Sequence, residues 1–498
     1  MENSRIYLTA TVTVKAGATL TVGPGTVIRA ASGTEIWVEP GGTVLMNGTL
    51  TDPVVIVPDS TSSPWGGVWL HQSSTATVAN FTATGTLFCS WGANQNWFNA
   101  AGVTPSRTIF SRHRQQQPCF AIGTGAVCRL TDCALIGPIT AGEPRGAGFA
   151  MKDGSLLLTR TSVQRCITGG EQEGGNVEIH SSAFLEITES GTNADDGSAF
   201  DDLDNDGIYL VPGPGHTYHL SKTVFGWTKD DGIDSGGSGS GSTLCDGCWF
   251  ENCTHEAFSN SGTGRVPETH NGVHFNNGQG MECGYGDSAT GPLSLVDHSL
   301  LVGNVCGARY GDNYNTFGTY GGTLTLQNSF LLYNSFRDAF AMEWRSASNW
   351  AYQDARIVSK NTKFSRGEDL AHQQGSEDTP ASSAWNPATD GANIAVFMPV
   401  PNSNVGVAIL HDRSREPVTL YPANGIFEVR LSTFSSRVVT VPWQATGKTD
   451  RDLPAESIIA SGTLTFQPGE TVKEAVAFLP SGTSFEVVRV SLGSPINA

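Results

Sequence analysis

The sequence predicts an all-β chain, a right-handed parallel β-helix followed by a small β-sandwich, and three observations predict it. Glycine occurs 59 times in 498 residues and only 15% of residues are charged, which suits turn-dense β structure better than helices. Short strand-like segments recur at a nearly constant interval: taking the glycine or alanine at 207, 232, 257, 280 and 307 as register marks, the steps are 25, 25, 23 and 27. A period in this range without helical periodicity marks a solenoid, whose rungs stack about 4.8 Å apart. Towards the end of the chain the period is lost and clean two-residue alternation takes over, as in sandwich strands.

The opening segments Thr11-Val-Thr-Val14, Gly17-Ala-Thr-Leu-Thr-Val22 and Gly42-Thr-Val-Leu45 are expected to form the first rungs and cap the stack. Residues 88–118, with Trp91, Trp97, Arg107, Arg112 and Arg114, interrupt the repeat as a protruding loop. The rungs then resume. Gly154-Ser-Leu-Leu-Leu158, Gly175-Asn-Val-Glu-Ile179, His216-Thr-Tyr-His-Leu220, Gly291-Pro-Leu-Ser-Leu295 and Gly322-Thr-Leu-Thr-Leu326 each begin an alternating strand. Each is followed by a second short strand such as Asp231-Gly-Ile-Asp234 or Gln279-Gly-Met-Glu282. The β-helix is assigned to residues 1–366, a Ser-, Glu-, Gln- and Pro-rich linker to 367–394, and the sandwich to 395–498.

The register converts sequence into a surface. Ile208, Ile233, Phe258, Met281, Ala308 and Phe340 form one apolar column, expected to point into the core. Asp206, Asp231, Glu256, Gln279 and Asp338 form one flanking column, and Tyr209, Asp234, Ser259, Glu282 and Arg309 the other, both expected to face outward. Eight of the ten cysteines fall at apolar repeat positions, where a small buried residue stacking rung on rung is the expectation. The Cys245-Asp-Gly-Cys248 pair has no second pair at finger spacing, so zinc is not expected, and disulfides stay open.

A net charge of −18 argues against a nucleic-acid partner and suits a polysaccharide, including an acidic one where cations reverse the sign locally. No apolar run of about twenty residues is present to span a membrane. Met1-Glu2-Asn3-Ser4-Arg5 leads straight into strand-like sequence, so an exported or cell-surface protein is expected to have had its signal elsewhere than in this chain. A monomer is expected.

Carboxylates concentrate on neighbouring rungs: Asp202-x-Asp204-x-Asp206-Gly207, then Lys229-Asp230-Asp231-Gly232-Ile233-Asp234. Such a cluster repels itself at neutral pH, and a hard cation with several oxygen ligands neutralises it. The first segment also fits the opening half of a calcium loop, although Gly213 stands where a closing glutamate belongs. Asp206, Asp230, Asp231 and Asp234, with Asp202 and Asp204, are therefore the candidate Ca2+ ligands, against a polar turn or a purely structural ion as the plainer reading.

On these residues the chain resembles polysaccharide lyase family 9, the pectate-lyase-like β-helix enzymes. Their calcium site has one Asp on a rung and Asp-Asp-x-x-Asp on the next, matched here by Asp206 with Asp230, Asp231 and Asp234. The resemblance covers residues of about 200–290 and implies a calcium-dependent β-elimination on a uronic acid. That family's base is a lysine in an Asn-Gly-Phe-Lys-like strand. The comparable Asn271-Gly272-Val273-His274-Phe275 puts His274 at the lysine position, and His274 is the first candidate base. Lys229 is the second, charge balance being its plainer role. Arg309 is a candidate for binding the substrate carboxylate or the enolate, with a salt bridge to Glu282 as the structural alternative. Glu282, Tyr209, Tyr285 and Tyr310 are candidate substrate-binding residues, and Trp227 and Trp344 offer further aromatic faces.

The final hundred or so residues resemble the Calx-β family through Gly462-Thr-Leu-Thr-Phe-Gln-Pro-Gly-Glu-Thr471. Where that family carries acidic calcium ligands this chain reads Leu479-Pro-Ser-Gly-Thr-Ser484, so the resemblance implies a spacer or anchor. Two other functions fit the same residues: a glycoside hydrolase using Asp206, Asp231, Asp234 and Glu282 with His255 or His274, and a non-catalytic, calcium-stapled surface protein.

Overall fold

The structure is a computed structural model, and it describes residues 3–60, 63–92, 118–137, 146–187, 205–236, 241–260, 266–283, 293–304, 306–310, 323–334, 337–341, 343–346, 349–351, 357–365, 424–430, 438–448, 457–467, 472–478 and 487–493. The chain divides into two compact units, residues 1–398 and 399–498.

Unit 1 is the expected solenoid. Three strands per turn contribute to three parallel sheets: an A sheet of 13 strands, a B sheet of 9, continued by a 3-stranded sheet in the last rungs, and a C sheet of 12. The first turn is Arg5–Leu8, Val12–Val14 and Thr19–Val22, and the last complete C and A strands are Ile357–Lys360 and Lys363–Phe364. All five segments that open the sequence repeat are C strands: Ser155–Thr159, Asn176–His180, Thr217–Ser221, Leu293–Asp297 and Thr323–Gln327.

Rungs remain in register because like stacks on like. Phe184, Phe225 and Phe250 lie under one another with ring centroids 5.2 Å apart, and the His274 ring continues the stack 4.6 Å beyond Phe250. Each buried ring contributes about 2–3 kcal/mol by leaving water. From Thr131 onward the chain reverses between C and A strands in two residues, the first left-handed: Asp132, Arg160, Ser181, Lys222, Asn271, His298, Asn328 and Asn361 all have φ between 46° and 54°. The bends are held from rung to rung by hydroxyls, as where the Thr161 N–H donates to Ser182 Oγ (3.1 Å) and the Ser299 N–H to Ser329 Oγ (3.1 Å).

Asparagines perform this task at the corner between A and B. The N–H groups of Cys253, Asn277 and Asn304 donate to the side-chain oxygens of Asn277, Asn304 and Asn334 on successive rungs, at 2.9, 2.9 and 3.0 Å. Asn334 Nδ2 donates in turn to Asp338 Oδ1 (2.8 Å), and Asp338 Oδ2 accepts from the N–H and hydroxyl of Ser365. Asp338 is thus fully buried as the end of this ladder and is not on the outward column expected for it.

The inward column is Ile208, Ile233, Phe258, Met281 and Ala308, as expected, but Ala339 and not Phe340 pairs with Ala308. Phe340 pairs with Arg309, one position outward. All ten cysteines are free thiols, nine of them buried. Unit 2 contains two antiparallel sheets. One pairs Asn424–Arg430 with Val472–Phe478, and the other orders Ser457–Phe466, Val439–Lys448 and Val487–Leu492 around Val439, Val441, Trp443, Ala445 and Phe466. This is the expected small sandwich.

Candidate functional site

The A strands from Ser162–Gln164 to Phe330–Leu332 end at or beside a left-handed residue, here Trp227 (φ 55°) and Asn252 (φ 61°), and the chain turns into the B sheet. At that corner the backbones of consecutive rungs touch. A Cβ at Gly207 would lie 2.3 Å from the Gly232 carbonyl oxygen, and one at Gly232 would lie 2.6 Å from that of Ala257, so only the smallest residues fit. This close stacking superposes the acidic residues just before each small one.

One oxygen of each superposed carboxylate is used by the fold. The Asp231 N–H donates to Asp206 Oδ1 (3.3 Å), and the Glu256 N–H donates to Asp231 Oδ1 (2.8 Å). Asp206, Asp230, Asp231 and Glu256 are all at most 5% exposed. His255 stands one rung beyond Asp230 and presents Nδ1 to three of these acids: Asp230 Oδ1 at 3.3 Å, Asp231 Oδ1 at 3.6 Å and Glu256 Oε2 at 2.5 Å. Its side chain is 32% exposed, so the ring is the accessible part of an otherwise covered cluster.

The electrostatics follow from this crowding. Burial pushes Asp231 well above the ordinary carboxylate range, and the charges of Glu256 and Asp230 push the same way. Glu256 is raised by burial and by Glu282, against the pull of His255. Burial alone would lower the His255 pKa, but Glu256, Asp230 and Asp231 outweigh it and hold the ring charged well above its ordinary range. Three carboxylates thus share one imidazolium at this corner. Ligand atoms of Asp230, Asp231 and His255 all lie within 4.8 Å of one another, and with the surplus negative charge the donor set fits a divalent cation.

Glu256 links the cluster to a second polar group on the B face. Gln279 Nε2 donates to Glu256 Oε1, whose distance from Arg309 Nη2 is 3.8 Å. The same Arg309 nitrogen makes a close ion pair with Glu282 Oε1, and Ser259 Oγ donates to Glu282 Oε2 at 3.5 Å. The run Asp230, Asp231, His255, Glu256, Arg309, Glu282 is therefore continuous.

The structure brings together Asp206, Asp230, Asp231, Glu282 and Arg309 from the residues singled out in the sequence. Asp234 lies on the outward side of its strand, between Tyr209 and Ser259 on the neighbouring rungs, and is outside the close Asp230–Asp231–His255 group. Tyr209 is outward, as expected, and Lys229 is half-buried, its N–H donating to the Ile187 carbonyl (2.7 Å). Asp202, Asp204 and Tyr285 lie outside the described residues.

Two assignments are corrected. His274 is not a base facing substrate: its ring is fully buried in the A-sheet core, Nδ1 on the Gly280 carbonyl at 2.5 Å and Nε2 on Thr269 Oγ1 at 3.2 Å. Burial lowers its pKa to about 4. Tyr310 also belongs to the core and offers no face to a sugar. The residue missed was His255 as the centre of the site. A step of 25 carries Asp230 onto His255 and Asp231 onto Glu256, so the register already held the signal.

Residues 1–103 match the family model described as "Pectate-lyase like beta helix domain". No curated protein matches the chain. Among solved structures it is similar to a mannuronic acid specific polysaccharide family 6 lyase from human gut microbiota, at 9% identity and TM-score 0.38 over 79% of this chain and 95% of that one. It is also similar to the pectate lyase Pel9A, at 13% identity and TM-score 0.25 over 75% and 81% of the two chains. A third is the periplasmic alginate epimerase AlgG, at 9% identity and TM-score 0.28 over 70% and 77%. The opening 103 residues are thus a match to the pectate-lyase-like β-helix family, and the later rungs continue the same three-sheet solenoid.

Proposed function

We propose that this protein is an exported, calcium-dependent lyase that cleaves a uronate-containing polysaccharide by β-elimination. The observation that carries the reading is the buried carboxylate cluster beside one accessible imidazole at the A–B corner. Asp206, Asp230 and Asp231, with Asp234 on the adjoining strand, would hold the Ca2+. A bound divalent cation supplies neutralisation of the substrate carboxylate, which acidifies the hydrogen on the neighbouring C5. His255 replaces His274 as the base. With the carboxylate charge that keeps the ring protonated neutralised by a bound cation, Nε2 would be free to take the C5 proton while Glu256 accepts from Nδ1–H and the bond to the O4 leaving group breaks. Arg309 positions Glu256 and Glu282 from the next rung. The sandwich of unit 2 acts as a Calx-β-like spacer or anchor.

One observation favours a glycoside hydrolase as the second reading: Glu256, with its raised pKa, lies beside Glu282 on the adjacent rung, as an acid and its carboxylate partner would. Ultraviolet absorbance of the unsaturated C4–C5 bond decides between them, measured on a panel of uronate polysaccharides with calcium and then with EDTA. Growth that EDTA abolishes supports the lyase. A flat trace with rising reducing ends means hydrolase, and silence in both leaves a binding protein.

A further inference from the structure

At the two-residue bends from C to A strands, two side chains three residues apart turn inward: the last inward residue of the C strand and the second residue of the bend. Leu158 with Thr161, Ile179 with Ser182, and Leu220 with Thr223 are such pairs, all at most 4% exposed. The hydroxyl donates to the carbonyl two residues before it, from Thr161 Oγ1 to Thr159 at 3.3 Å and from Thr223 Oγ1 to Ser221 at 3.0 Å. On the next rung both positions are cysteines. Cys245 pairs with Leu220, and Cys248 Sγ donates to the Leu220 carbonyl (3.7 Å) and to that of Asp246 (4.0 Å). Cys248 therefore stands where its neighbours have a hydroxyl, and Cys245 where they have an aliphatic side chain.

The following rung measures the gap between the two positions. A Cβ at Gly272 would lie 2.6 Å from Thr269 Oγ1, and Thr269 pairs with Cys245. A side chain at the second place of the bend thus meets the γ atom of the residue three before it, which is the approach that the Cβ–S–S–Cβ link of a disulfide needs. Gly247 between them is left-handed, with φ 63°, so the bend keeps the form it has on neighbouring rungs. Both sulfurs lie in the core, where burial and the adjoining Cys248 thiol push the Cys245 thiol well above its ordinary range. Thiolate is scarce there, so exchange belongs to the time when the bend is open, as the chain folds.

We propose that Cys245 and Cys248 form a disulfide when the chain folds in the presence of a small disulfide such as oxidised glutathione. One cysteine thiolate attacks the glutathione disulfide and releases a first glutathione, and the second cysteine displaces the other from the mixed disulfide. The Sγ–Sγ bond forms, the glutathione S–S bond breaks, and the two thiol protons and two electrons leave on two molecules of glutathione. The link locks the bend that opens Trp249–Glu251, the strand that leads to His255 and Glu256. The test is to refold the full chain in a glutathione redox buffer, alkylate with N-ethylmaleimide in denaturant and read the peptides by mass spectrometry. The peptide with both cysteines should be unlabelled and two hydrogens lighter, and dithiothreitol before alkylation should restore two labels. The equilibrium constant for oxidation by glutathione should be about tenfold or more higher in buffer than in urea, because the folded bend holds the sulfurs together. Cys248→Ser, which restores the hydroxyl of the neighbouring rungs, should leave Cys245 labelled; if it does not fold, the wild-type comparison of buffer with urea decides alone. Labelling of both cysteines in the refolded wild type overturns the proposal, and so does a link from either to a different cysteine. Equal constants in buffer and urea overturn it too, since closeness in sequence would then account for the bond without the bend.

Discussion

His255 and His274 show how position on a rung decides chemistry. His274 is neutral in the core, with a pKa of about 4, against 6.5 in an open chain. Between these values the unfolded chain binds a proton that the folded chain refuses, so stability is complete above pH 6.5 and falls as pH drops towards 4. The loss reaches roughly 3 kcal/mol at full extent. Denaturant titrations at several pH values should show this decline, and His274→Phe should flatten it. In turnover the two residues should separate: His255→Gln lowers kcat by about 10²–10⁴-fold, while His274→Phe leaves it within a few-fold. The sequence misled at His274 because the resemblance of Asn271-Gly272-Val273-His274-Phe275 to the family's Asn-Gly-Phe-Lys strand put it at the base's position, whereas the A-sheet alternation places it beside core Phe250. Val273 and Phe275 take the other side of the strand, Val273 buried and Phe275 exposed.

At the scale of the element, the asparagine ladder joins rungs by side chains that each satisfy a backbone N–H. Asn304 is its middle member, accepting from Asn277 and donating Nδ2 to the His274 carbonyl and to Asn334 Oδ1, both at 3.0 Å. Removing it leaves buried amides without partners, so Asn304→Ala should cost about 2–4 kcal/mol in urea unfolding without displacing the Asp230–Asp231–His255 group. This ladder was not legible, since an asparagine at a turn reads the same whether it faces solvent or the next rung. The B-sheet column was legible from Ile208 to Ala308 because the corner glycines fix its phase. It slipped at Phe340, where size argued for the core although the smaller Ala339 continues the column of Ala308.

For the whole molecule, a net charge of −18 includes carboxylates buried against each other, and folding must oppose their repulsion. A cation that binds only the folded chain adds stability by mass action, about 2.7 kcal/mol at a hundredfold excess over Kd. Calcium should therefore raise Tm in differential scanning calorimetry, EDTA should reverse the rise, and Asp231→Asn should abolish it. A Tm indifferent to calcium would disconnect the cluster from metal altogether.

The two-residue bends between C and A strands also limit how a chain of this kind can diversify. With a left-handed residue first and a rung-bonded residue second, as at Asp132, Arg160, Lys222 and Asn361, that corner stays at two residues in every rung from Thr131 onward, whereas the opening rungs carry the longer connections 23–26 and 48–53 there. Every long connection from 93–117 onward falls instead at the start or the end of a B strand. In these later rungs loops are gained or lost around the face that carries Asp231, His255 and Arg309, so new specificity can be acquired there while the opposite edge stays constant.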